Sequence, residues 1–146
     1  MKTSKRKQNR MVRHLDRRAA AVVEAALCIP VIVILMFGTL EICSGFFLQQ
    51  SLTIAAYEGA RTGVKRQETR DAVEDMVERI LTARGVDLSN GVSIDVRPSD
   101  LSTLDALEPI EVSVSVPTAG NSAIVFDTFA NRTLRATVRM AREFDH

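Results

Sequence analysis

The longest pattern in the chain is a run of apolar positions with almost no polar interruption. From Ala19 to Leu40 the sequence reads AAAVVEAALCIPVIVILMFGTL, 22 residues with one charge, at Glu24. As a helix this run is about 33 Å long, enough to cross a hydrocarbon core of roughly 30 Å. Polar positions return after Glu41 without breaking the helical pattern: ICSGFFLQQSLTIAAYEGARTGV contains no proline and loosens only near Lys65–Thr69. One continuous helix from about Arg18 to Val64 is predicted, with a transmembrane segment at 19–41 and a helical extension, or stalk, at 42–68. Phe46 and Phe47 fall where an interfacial aromatic pair belongs.

Beyond the stalk the period changes twice. Ala72, Val73, Met76, Val77, Ile80 and Leu81 mark one face of an amphipathic helix over about Thr69–Arg84. Glu74, Asp75, Glu78 and Arg79 take the other face, Asp71 with Glu74 reads as a capping pair, and Gly85 as the stop. Alternation then takes over at Val92–Val96, at Ile110–Val116 between two prolines, and at Leu134–Met140. Three such strands predict an antiparallel sheet with the amphipathic helix across its apolar face. The expected fold class is α+β: a long N-terminal transmembrane helix extended past the membrane, a second amphipathic helix and a small three-stranded antiparallel sheet. The connections Ser99–Glu108 and Thr118–Thr133 are loops, the second with a helical turn around Ile124–Phe129. Four segments follow: a basic leader at 1–18, the transmembrane helix at 19–41, the stalk at 42–68 and a small exported α+β domain at 69–146.

Bulk composition hides this organisation. The 146 residues are 46% apolar and 25% charged with a net charge of +1, which reads as one ordinary domain. Up to Arg18, however, eight basic side chains face one acidic residue, a net of +7, and the rest of the chain carries −6. Positive charge flanking the N-terminal side of a span places the N-terminus in the cytoplasm and the C-terminal region outside. Beside a membrane segment the basic block reads as its flank rather than as a nucleic-acid tail. A signal-peptide core is about 7–15 residues, shorter than this run, so the segment is expected to stay in the protein. Cys28 and Cys43, about 22 Å apart on one helix, lie beyond the roughly 7 Å reach of a disulfide and read as buried small apolar residues.

Little in the chain suggests catalysis. The two histidines, His14 and His146, have no metal-ligand spacing, and there is no phosphate-binding glycine loop, nucleophile elbow or Cys–His pair. Aromatic residues, at 5%, do not favour a small-molecule pocket. No enzyme, cofactor, metal, nucleic acid or small-molecule substrate is expected. Two features point to association instead. Glu24 costs a few kcal/mol within the apolar run unless it snorkels to the headgroups or meets a positive partner on another chain. Ala55, Gly59 and Gly63, spaced by fours with Ala56 and Ala60 beside them, form a stripe of small residues. Such a stripe admits another helix closely, either the protein's own second helix or that of another subunit. Glu58 and Arg61 can pair at i,i+3.

Taken together, RRAAAVVEAALCIPVIVILMFGTLEI followed by QQSLTIAAYEGAR resembles the TadE-like family, minor pseudopilins of the tight-adherence (Flp) type IV pilus and secretion machinery. The likeness is densest over Arg17–Arg61. It rests on the Ala/Val-Glu-Ala start, Pro30, Phe37-Gly38 with Glu41, and Ala56 with Glu58-Gly59-Ala60-Arg61. The resemblance implies a non-enzymatic, single-pass protein of the bacterial inner membrane. Its C-terminal domain would lie outside, and its partners would be membrane lipid, other pilins or pseudopilins and pilus assembly proteins. It also implies trimming by a prepilin peptidase between Ala19 and Ala20, which makes Glu24 the fifth mature residue; Ala19 stands where the family prefers Gly. The new amine at Ala20 would then pair with Glu24 of a neighbouring subunit. The competing expectation is a single-pass anchored envelope binding module with no pilus role.

Overall fold

The computed structural model describes residues 3–65, 68–101, 108–122 and 132–141, with residues 3–18 described by their backbone alone. The architecture is α+β: helix α1 (Thr3–Gly63), helix α2 (Arg70–Ala83), a 3-10 turn (Leu88–Asn90), and strands β1 (Ser93–Arg97), β2 (Pro109–Pro117) and β3 (Thr133–Ala141). The helical turn expected at Ile124–Phe129 lies outside the described residues. The chain divides into two compact units, Met1–Thr39 and Leu40–His146.

The first unit is helix alone. Side chains from Ala19 to Phe37 are exposed on every side of α1. A helix apolar all round needs a covering that this unit does not supply, and its length and composition suit a bilayer. Pro30 lies within the helix. It removes one backbone donor, a loss tolerated in spanning helices.

In the second unit the α1 residues after Leu40 enter a hydrophobic core. Leu48, Leu52, Ala55, Ala56 and Ala60 are fully buried, at the three- and four-residue steps that bring side chains to one helix face. α2 contributes Val73, Val77 and Leu81 to the same core. Ala72, Met76 and Ile80 are only half-buried, so the buried stripe of α2 is narrower than its apolar pattern. Burying a Val or Leu side chain is worth ~1.5–3 kcal/mol, and these positions hold the layer together.

The ends of α2 follow from local chemistry. The N-cap is Thr69, whose side chain accepts the Ala72 N–H at 3.3 Å. Glu74 does not close the expected capping pair with Asp71, because it bonds Arg70 at 2.6 Å. That contact raises the Arg70 pKa above its already high ordinary value. At the other end Gly85 N–H donates to Thr82 O and Val86 N–H to Leu81 O, both at 3.0 Å. This is a Schellman closure, and Gly85 supplies its left-handed residue with φ +72°.

The sheet is antiparallel with β2 at its centre, in the order β1-β2-β3. Its register sorts the faces. Ile94, Val114 and Ala136 form one inward row, and Val96, Val112 and Val138 the next. Outward rows are Arg97–Glu111–Arg139, Asp95–Ser113–Thr137 and Ser93–Ser115–Arg135. α1 and α2 share the inward face, since the α1 backbone at Gly59 lies against Val77 of α2 and Val112 of β2. Polar links fasten the edges of this layer. Gln49 of α1 donates to the Arg135 carbonyl at 3.0 Å, and the Ser44 and Ser122 hydroxyls lie 2.8 Å apart. Asn121 accepts the Asp87 N–H and donates to the Asp87 carbonyl, tying the 3-10 turn to the segment after β2.

Candidate functional site

α1 carries every residue that the sequence marked for association, and the structure separates them into two groups. Ala19, Ala20 and Glu24 are exposed on the free part of the helix. Glu24 is the only charge from Ala19 to Leu40, so any positive group reaching that stretch meets one carboxylate. The exposed side chains around it, among them Val22, Val23 and Leu27, offer apolar contact only.

The small-residue stripe belongs to the second group. A Cβ on Gly59 would stand 2.6 Å from Val77 Cγ2, and one on Gly63 would stand 3.2 Å from Val73 Cγ2 and 3.4 Å from Ile110 Cδ1. Ala55, Ala56 and Ala60 are buried beside them. Of the two partners open to the stripe, it is the protein's own α2 and β2 that fill it. Glu58 and Arg61 project from the other side of the helix, 3.7 Å apart, with Arg61 well exposed. A surface pair of that kind contributes ~0–1 kcal/mol.

Glu41, just past the apolar run, is 2% exposed because the folded unit closes over it. Cys28 and Cys43 are free thiols, and both are exposed rather than buried. The outward sheet face is a polar network. Ser113 Oγ lies 2.8 Å from Thr137 Oγ1 and accepts from Arg135 Nε at 2.6 Å. Arg139 pairs with Glu111 across the strands and Arg97 with Asp95 along β1. Ser113 is therefore buried although it faces outward, which strand alternation alone does not foresee. Among the described residues no three His, Cys, Asp or Glu side chains cluster as metal ligands.

The helix that holds these features also decides the comparison with known proteins. Residues 19–61 match the family model of the TadE-like protein. This segment is TadE-like. The TadE-like segment starts at Ala19, takes in Glu24 and the whole exposed apolar run, and ends at Arg61 after the buried stripe. It thus takes in both the exposed residues at the start of the match and the buried residues near its end. Its apolar stretch is long enough for a single-pass membrane anchor. No curated protein and no solved structure matches the chain.

Proposed function

We propose that the protein is a membrane-anchored minor pseudopilin-like component of tight-adherence (Flp) pilus assembly or secretion, acting by helix packing and catalysing no reaction. The observation that carries this reading is the TadE-like segment whose first half is an exposed, all-apolar helix with one carboxylate at Glu24. In this reading the helix spans the bacterial inner membrane with the basic N-terminal flank in the cytoplasm and the α+β unit outside. A prepilin peptidase cuts between Ala19 and Ala20, removing the +7 leader. The amine released at Ala20 then pairs with Glu24 of a neighbouring subunit, which offsets the cost of placing a carboxylate in lipid. Because the small-residue stripe is filled from within, subunit contacts fall to the exposed helix and to the outward surfaces of the α+β unit.

The deciding measurement is the intact mass of the chain isolated with and without a co-expressed prepilin peptidase. A mature chain beginning at Ala20 is expected, and an uncut chain removes the amine partner of Glu24. Glu24→Gln should abolish or strongly reduce piliation while membrane insertion continues; normal piliation in that variant sinks the intersubunit role. A reporter at the C-terminus that is active only in the cytoplasm would overturn the orientation.

A further inference from the structure

The exposed apolar surface of α1 runs past the end of the span. Leu40, Ile42, Phe46 and Phe47 are all exposed, Phe46 at 73% and Phe47 at 55%. In sequence these residues follow directly on an apolar run long enough to cross a hydrocarbon core of roughly 30 Å. Aromatic residues at the end of such a run favour headgroup depth. Within the Leu40–His146 unit, Ile42, Gly45, Phe46 and Gln49 also form one wall of a groove of about 210 Å³, closed on its other side by Thr118 and Leu134. Its lining is almost wholly apolar. On the adjoining face of the helix the Arg84 guanidinium stands 5.9 Å from the Phe47 ring centroid. Arg84 Nε is buried with no hydrogen-bond partner among the described residues.

We propose that this surface is a seat for phospholipid, so that the α+β unit rests in the membrane interface. The groove takes the upper part of an acyl chain, Phe46 and Phe47 lie at the glycerol level, and Arg84 faces a lipid phosphate. Aromatic rings favour that depth, and a guanidinium on an apolar stem favours a phosphate above it. Charge selects lipid over a second copy of the chain. Pairing of this patch with its own copy would bring a second Arg84 and no acidic residue of the patch, whereas a lipid phosphate brings the opposite charge.

The inference rests on the membrane span of the proposed function, and its test keeps the two apart. Full-length chain carrying Cys28→Ser and Cys43→Ser, in vesicles of phosphatidylethanolamine and phosphatidylglycerol, receives a single fluorophore through Leu35→Cys, Ile42→Cys, Phe46→Cys or Tyr57→Cys. Lipids brominated deep in the acyl chain should quench the label at 35, which checks the span itself. Lipids brominated near the glycerol should quench 42 and 46, and aqueous iodide should quench them several-fold less than 57, on an exposed residue further along α1. Arg84→Gln should weaken the lipid quenching at 46 in the anionic vesicles. Iodide quenching at 42 and 46 equal to that at 57, with 35 still lipid-quenched, overturns the seat and leaves the span standing. Shielding of 42 and 46 from both quenchers overturns it in favour of a second copy. Loss of lipid quenching at 35 removes the span and the seat together. Unchanged quenching at 46 in Arg84→Gln removes the phosphate contact.

Discussion

Gly59 of α1 and Val77 of α2 pack so closely that a Cβ on Gly59 would come within 2.6 Å of Val77 Cγ2. Val77 is fully buried and β-branched, so it has one good rotamer and no room to turn away. Gly59→Ala gains ~1 kcal/mol in helix propensity but incurs ~1–3 kcal/mol of overpacking. The thermal midpoint of the full chain in detergent should fall, and Gly59→Ala should cost less when introduced into a Val77→Ala background. Gly45 lies on the same helix with nothing within 4 Å of its Cβ position. Gly45→Ala should raise the midpoint, and equal behaviour of the two variants would refute the packing described for Gly59.

A second contrast separates the two halves of α1. Leu52 is fully buried in the core of the α+β unit, whereas Leu27 is exposed. Leu52→Ala should destabilise the α+β unit by ~2–5 kcal/mol, the usual cost of an aliphatic cavity. Leu27→Ala should leave the unfolding midpoint of that unit unchanged. Limited proteolysis of the two variants, read at the sheet, distinguishes them.

Gly85 closes α2 with a positive φ of 72°. An alanine there keeps the space, since nothing lies within 4 Å of the added carbon, but not the backbone preference. Gly85→Ala should cost ~1–2 kcal/mol, read as a lower denaturant midpoint at unchanged slope.

Asp87 gives the unit an acid-sensitive turn. Its carboxylate accepts the Ser89 hydroxyl at 2.7 Å and the Ser89 N–H at 2.9 Å. These two bonds, the hydroxyl first, hold its pKa below the ordinary carboxylate value. A lowered folded-state pKa means that the contribution is complete above the unfolded value of ~3.9 and is lost as pH falls through the lower folded value. Stability should therefore decline from about pH 4 downward, and Asp87→Asn should flatten that part of the profile while lowering the plateau at neutral pH. Thermal midpoints measured across this range provide the check.

Periodicity alone located nearly all the elements. The long helix ends at Gly63, one residue from the expected Val64, but begins at Thr3 rather than near Arg18, while α2 and the three strands agree to within one residue at each end. Runs, amphipathic steps and alternation are local properties, set by which side chains must leave water, so they are written along the chain. The TadE-like character of residues 19–61 and the isolation of Glu24 were equally legible. What covers each face was not. The stripe from Ala55 to Gly63 offered the same small surface to a neighbour's helix or to α2, and only the packed arrangement of α2 and β2 selects the second. Glu41 is buried although no nearby sequence element predicts it. Asp71 and Glu74 had the spacing of a cap, yet Thr69 and Arg70 compete for the same bonds and hold them. Long-range contacts decide these outcomes, because a hydrophobic pattern states that a face must be buried and leaves its partner to whatever surface the fold brings alongside.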